Sequence, residues 1–244
     1  MSTAPSTAAA SNLRILKPQV HKSLYLAKGM DPADFANAIP ITAQSGAPSH
    51  TPAVLGELYI RTDSTGVIPT IYRGTSTSSA IWEPIGPYSA AITAASGPVS
   101  NTAVETDFDQ TLTLPAGILT QGSVLKIRAQ GIATATNSTD TLTVKLYIGS
   151  TLVASSAAVD VANDDTWLFD FSLTARAAAA ASAACVGCGS GTLGTSGTAT
   201  MKHFSLASTN FATNGTLTIK MSATWSNASS GNSCRLDVLA VEVV

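Results

Sequence analysis

The sequence predicts an all-β protein: a C-terminal antiparallel β-sandwich, jelly-roll-like, over residues 103–244, preceded by a small β-meander at 55–87 and an extended N-terminal arm at 1–54, with 88–102 as a linker. Three observations predict it. Apolar and polar residues alternate with a period of two along several segments, the side-chain period of a strand with one face in the core. Those segments recur at short spacing between Gly, Asn and Ser turns, as in an antiparallel sandwich. Charged residues make up only 11% of the 244, against ~25% in ordinary globular proteins. Ala, Ser, Thr and Gly take their place, and Thr suits the half-exposed face of a strand.

The arm is set apart by prolines at 5, 18, 32, 40, 48 and 52. Proline removes a backbone donor and constrains the residue before it, so only short regular pieces fit. Apolar residues nevertheless recur, among them Leu13, Ile15, Leu16, Val20, Leu24, Tyr25, Leu26 and Phe35. Two readings stand: a disordered arm, or an arm that orders against a partner and uses these eight residues as its anchor.

Residues 55–87 contain three strand-like pieces: Glu57-Leu58-Tyr59-Ile60-Arg61, Thr70-Ile71-Tyr72-Arg73 and Ala80-Ile81-Trp82-Glu83. Asp63-Ser64-Thr65-Gly66 supplies turn chemistry between the first two. Three strands alone need support from elsewhere to be stable.

In the main domain Phe108, Gln110, Leu112 and Leu114 share one face of a strand that ends at Pro115, followed by a turn at Ala116-Gly117. Leu125, Ile127 and Ala129 alternate with Lys126 and Arg128. Leu142, Val144, Leu146 and Ile148 alternate with Thr143, Lys145 and Tyr147, and Gly149-Ser150 turns the chain back through Thr151–Ala154. Phe169, Phe171 and Leu173 form the next stripe; Leu217, Ile219, Met221, Ala223 and Trp225 form a late one; Arg235–Val244 closes the domain. The segment 175–197 resists this pattern. Ala177–Ala181 reads as the end of a strand packed tightly, with a short helix as the alternative by propensity, and the following CVGCGSGTLGTSG reads as a loop.

Little in the chain points to catalysis. Cys185-x-x-Cys188 lacks the second ligand pair that zinc requires and the βαβ setting of a redox motif. With Cys234 these are read as incidental thiols. No Gly-x-Ser-x-Gly lies between a strand and a helix. His203, beside Lys202 and Phe204, reads as a sheet-surface histidine. The main-domain acids fall mostly in predicted turns and strand edges, without the facing pair of a glycosidase. Asp160-x-x-x-Asp164-Asp165 reads as a solvated turn rather than a cation loop, since its spacing is not that of an EF-hand. No catalytic, cofactor-binding or metal-ligating residue is therefore expected. A net charge of −2 offers no footprint for nucleic acid. No apolar run is long enough to span a membrane, and the N-terminus lacks a secretory pattern, so synthesis in the cytoplasm is expected.

Two stretches resemble bacteriophage virion proteins. Gly56-Glu57-Leu58-Tyr59, a polar turn, Ile71-Tyr72, Gly74 and Trp82-x-Pro84-Ile85-Gly86 resemble a small module of phage fibre and decoration proteins. The ordered series Leu114–Leu119, Lys126–Gly131, Thr141–Gly149, Trp167–Phe169 and Thr224–Ser226 resembles the jelly-roll domain of phage virion proteins. The resemblance implies a non-enzymatic structural protein on the outer surface of the virion. It implies a head decoration (cement) protein, a homotrimer bound to the major capsid protein without cofactor, nucleic acid or membrane. The alternative is a tail fibre or receptor-binding protein that contacts the host surface. A surface lectin-like module is a third possibility, disfavoured by the missing secretory pattern.

Overall fold

The computed structural model describes residues 23–24, 41–45, 48–61, 71–80, 82–85, 87–137, 139–194 and 200–244. Every regular element among them is a strand. The chain divides into two compact units, Met1–Gly86 and Pro87–Val244.

The first unit is one sheet in the order β1 (Ser23–Leu24), β2 (Ile41–Gln44), β3 (Leu58–Arg61), β4 (Ile71–Gly74), β5 (Trp82–Pro84). The three strands expected at 55–87 are present as an antiparallel meander. The boundary at residue 54 is not a structural one. β2 lies within the stretch assigned to the arm and pairs in parallel with β3, Ile41 opposite Leu58 and Gln44 opposite Arg61. A parallel neighbour cannot be joined by a tight turn, and here residues 45–57 make the connection. Among the described residues of this unit, the buried apolar cluster is Tyr59, Tyr72 and Trp82.

The second unit is a sandwich of two antiparallel sheets. One runs β16 (Thr200–Phe211), β15 (Ala183–Leu193), β14 (Asp165–Ala175), β10 (Val124–Thr134), β18 (Ser233–Val243), β6 (Tyr88–Ala91), with β7 (Val99–Ser100) also on β18. The other runs β12 (Thr151–Ser155), β11 (Thr141–Ile148), β17 (Leu217–Trp225), β8 (Thr106–Asp107), with β9 (Leu112–Leu114) also on β17 and β13 (Val159–Asp160) on β11. Count β6/β7, β8/β9, β10, β11, β12, β14, β17 and β18 as strands one to eight. The sheets then read 1-8-3-6 and 2-7-4-5, the strand order of a jelly roll. The period-two stripes face inward: Leu125, Ile127 and Ala129 and the β14 aromatics from one sheet meet Leu142, Val144, Leu146, Ile148, Ile219, Met221 and Trp225 from the other. Trp167 and Trp225 are both 1% exposed, so neither is a surface binding group.

Three segments depart from the sequence-based expectation. Residues 88–102, expected as a linker, carry β6 and β7, which pair with the closing strand and bury Tyr88 and Val99. Their alanine-rich stretch between the two strands hides the strand period. Of the strand expected over 108–114 only Leu112–Leu114 (β9) is a strand, and the short β8 precedes it. Between them Phe108 drops into the core and stacks on Trp167 at 6.0 Å, while Asp109 accepts the Gly97 N–H at 3.0 Å.

The third is 175–197. The polyalanine run is a turn, and Ala183–Leu193 is a strand rather than a loop. With β16 it forms a hairpin inserted between the sixth and seventh jelly-roll strands, widening one sheet. Its glycines have a packing reason. A Cβ on Gly187 would lie 2.6 Å from the Phe171 ring, and one on Gly189 would lie 2.8 Å from the Phe171 Cα. The aromatic ring of β14 lies across the bare backbone of β15, which shields a strand that propensity alone disfavours.

Candidate functional site

In the first unit the Gly-Glu-Leu-Tyr sequence builds a clasp. Glu57 is buried, 3% exposed. Its carboxylate accepts the Thr42 hydroxyl at 3.1 Å and the Ala53 backbone N–H at 2.6 Å, and its Oε1 lies 3.0 Å from His50 Nε2. A buried carboxylate left unsatisfied is costly; these three partners hold the chain from β2 through Ala53 against the meander. Trp82 supports the same stretch by donating its indole N–H to the His50 carbonyl at 2.8 Å, with the two rings edge to face at 4.9 Å. Gly74 completes the fit, since a Cβ there would sit 2.5 Å from Pro52. Val54, Leu55, Ile71 and Ile85 remain exposed on this unit.

The proposed anchor residues of the arm fall largely outside the described region. Leu13, Ile15, Leu16, Val20, Tyr25, Leu26 and Phe35 lie outside the described residues, and only the backbone of Leu24 is placed, in β1 beside Ile41.

In the sandwich, charge gathers on the outer face of the smaller sheet. Glu105 accepts Lys145 Nζ at 2.5 Å, the Tyr147 hydroxyl at 2.6 Å and the Ser222 hydroxyl at 2.8 Å. Lys145 above all, then Tyr147, holds the Glu105 carboxyl down at about 2. The same carboxylate is the main cause of the Tyr147 hydroxyl being pushed up to about 12. Lys220 bonds Asp107 at 2.5 Å and sits over the Tyr147 ring at 5.3 Å. Every charged group here is neutralised by a neighbour, which suits fastening residues 105–107 to the sheet better than proton transfer.

The thiols are not in a loop. Cys185 and Cys188 stand on β15, where an odd spacing sends side chains to opposite faces. Cys185 is buried and Cys188 exposed, and Cys234 is buried on β18. Burial alone pushes the Cys185 thiol up, and burial is the main cause that pushes Cys234 up, so neither is poised as a thiolate. His203 is exposed on β16. Asp164 Oδ1 accepts the Thr134 hydroxyl and Asp165 Oδ2 accepts the Ala162 N–H at 2.7 Å, so those acids serve their own turn. Among the described residues no three of His, Cys, Asp and Glu converge on a point where a metal could sit. A cleft bordered by Val159, Phe169, Leu193, Lys202 and Phe204 has a volume of about 10 Å³, far below the ~300–1,000 Å³ of small-molecule clefts.

At one end of the sandwich the loops after β10 and β17 meet. Asp140 is fully buried there, accepting Asn227 Nδ2 at 2.7 Å and Asn232 Nδ2 at 3.0 Å. Hydrogen bonds from Ser229, Asn227 and Asn232 hold its carboxyl below the usual range. Glu57 and Asp140 were invisible as buried groups in the sequence. The one available signal for Glu57 was an acid opening an aromatic strand just after Pro52.

No protein family matches the chain, and no curated protein matches it. Several solved structures are similar at low identity. VP2 of infectious bursal disease virus, in a subviral particle, is 13% identical over 75% of this chain and 40% of its own, with a TM-score of 0.29. The Gx strain of that virus is 12% identical over 100% of this chain and 49% of its own, at 0.33. The winged bean acidic lectin complexed with methyl-α-D-galactose is 7% identical over 65% of this chain and 98% of its own, at 0.31. The chain thus spans about two fifths of the first VP2 structure. Scores this low carry no argument about function, and the jelly-roll assignment rests on the strand order.

Proposed function

We propose that this chain is a virion structural protein that acts by binding rather than chemistry: a bacteriophage head decoration (cement) protein on the outer capsid surface. In this reading the first unit grips the major capsid protein and the jelly roll projects outward, with self-association as a homotrimer. The observation that carries it is how the first unit is made. Extended chain is added to a sheet edge, β2 in parallel on β3 and β1 on β2, and fastened by Glu57. Strand addition of this kind supplies backbone hydrogen bonds at a seam while side chains supply selectivity. Many copies on one shell add avidity without new contacts per copy. The exposed Val54, Leu55, Ile71 and Ile85 offer apolar surface on the same unit.

The experiment is co-sedimentation with particles that lack the protein. The truncation should remove residues 1–40 and spare β2 and the clasp, because a cut at 54 would also remove Thr42, His50 and Ala53. Full-length protein should pellet with heads in many copies, and the truncated chain should not. If both forms pellet equally, the arm is not the anchor. If neither binds heads while full-length protein binds isolated tails or host cells, the protein is a tail fibre or receptor-binding protein.

A further inference from the structure

A sheet edge leaves backbone N–H and C=O groups unpaired, and proteins blunt such edges with short strands, prolines or bulges. Most edges among the described residues are blunted. β1 and β8 have two residues each, β6 four, β5 three ending at Pro84, and β12 five with a register shift against β11. β16 is different: it is 12 residues long and forms one end of the larger sheet. Its stretch Thr200–Leu206 pairs with Leu193–Gly187 without interruption, and the register slips only beyond Leu206. That stretch has no proline, no acid and one lysine, Lys202. The β15–β16 hairpin is also an insertion in the jelly roll, and of β16 only Phe204 and Phe211 are buried, so little of this strand serves the core.

The ladder fixes which backbone groups of β16 face outward. Arg176 N–H donates to the Ala184 carbonyl at 2.8 Å and Gly194 N–H to the Thr166 carbonyl at 3.1 Å, so even-numbered residues of β15 bond to β14. Bonded and non-bonded pairs alternate along an antiparallel ladder. The odd-numbered Gly187, Gly189, Gly191 and Leu193 therefore bond to β16, through Leu206, Phe204, Lys202 and Thr200. Met201, His203 and Ser205 turn their N–H and C=O groups to the free edge. All three are exposed, Met201 at 66%, and among the described residues nothing hydrogen-bonds those backbone groups.

A second copy of the same strand fits this edge. Antiparallel pairing about His203 sets Met201 opposite the partner's Ser205 and Thr200 opposite the partner's Leu206, so the whole regular stretch is used. Each outward pair then exchanges both of its N–H···O bonds. Lys202 faces the partner's Phe204, whose ring can take the lysine stem. The neighbouring registers are worse. Pairing about Lys202 sets two ammonium groups opposite each other, which destabilises a strand pair. Pairing about Phe204 runs into the register shift after Leu206. A self-complementary edge closes in a two-fold pair and leaves no open strand behind. We infer that β16 is a self-association edge, at which two copies of this chain pair antiparallel through Thr200–Leu206 about a two-fold axis at His203. This does not rest on the decoration reading, since the contact joins copies in pairs whether these are single chains or trimers.

Sedimentation velocity of full-length protein over about 1–100 µM, the range of a small reversible contact, should show the smallest species doubling in mass. Ser205→Pro removes an outward N–H and leaves the bonds to β15. It should raise the concentration needed for doubling on the order of tenfold or more. A second measurement reads the register and stands if Ser205→Pro does not fold. Opposed residues of a bonded pair have Cα atoms about 5.5 Å apart, within disulfide reach. In a Cys188→Ser background, His203→Cys should give a disulfide-linked dimer on mild oxidation. Ser190→Cys, its neighbour one strand inward, should not. Wild-type protein of one mass across the whole range overturns the inference. So does folded Ser205→Pro that doubles like wild type, or Ser190→Cys that links as readily as His203→Cys. If wild type keeps one mass while protein lacking residues 1–40 doubles, the chain's own arm occupies the edge in place of a second copy.

Discussion

The two units of this protein are held together in different ways. The sandwich buries more than thirty apolar side chains in one continuous cluster. Among the described residues, the first unit's buried apolar cluster is Tyr59, Tyr72 and Trp82. Beside that cluster stands a buried carboxylate, Glu57, that takes three partners from a preceding, non-adjacent stretch of chain. A large core is indifferent to any one polar contact. A small one depends on a few, and can be opened without unfolding the rest.

The largest expected effect is in the sandwich core. Leu146 is 0% exposed, and Leu146→Ala should cost about 2–5 kcal/mol, read as a drop in the denaturant midpoint. Equal loss from Thr143→Ala on the opposite face would contradict the two-faced strand. Next comes Gly189→Val in the inserted hairpin. It forces a branched side chain into the Phe171 backbone and should cost about 1–3 kcal/mol or more, whereas the same change in a true loop would be nearly silent.

The first unit should break differently. Glu57→Leu orphans the Ala53 N–H, the Thr42 hydroxyl and His50, at about 1–3 kcal/mol. Limited proteolysis should then cut between residues 45 and 53 while the melting temperature of the sandwich stays where it was. A common shift of both would mean that the units unfold together. Substituting Leu146 should leave that protease site protected.

Smaller still is the pH dependence of the outer-face network. Glu105 is depressed to about 2 from an ordinary 4.5, so its contribution is fully present above pH 4.5 and is lost as pH falls toward 2. Tyr147 is raised to about 12 from 10, so its contribution is present below pH 10 and is lost as pH rises through 12. Glu105→Gln should flatten both limbs of the stability profile, because the same carboxylate causes both shifts. The group is partly exposed, so solvent screening keeps the effect modest. Least of all, Thr143→Ala should change stability by within about 0.5 kcal/mol.

By itself the sequence determined the all-β fold class and most of the sandwich core. The stripes at 125–129, 142–148, 169–173 and 217–225 are legible because a strand with one buried face repeats every two residues, and that repeat is a local property of the chain. The low charge and the turn residues between stripes carried the rest of the fold class. Only the tertiary structure decided which stretches would behave as strands without such a stripe. β15 has glycines where a stripe would have side chains, because the filling atoms come from Phe171 on the neighbouring strand. β6 and β7 are short edge pieces whose partner lies about 150 residues away, as Tyr88 opposite Val243 shows. The same holds for the polar centres. Glu57 and Asp140 look like ordinary surface acids in the sequence, because burial of a carboxylate depends on donors at His50, Thr42, Asn227 and Asn232, whose proximity is set by the fold and not by spacing along the chain.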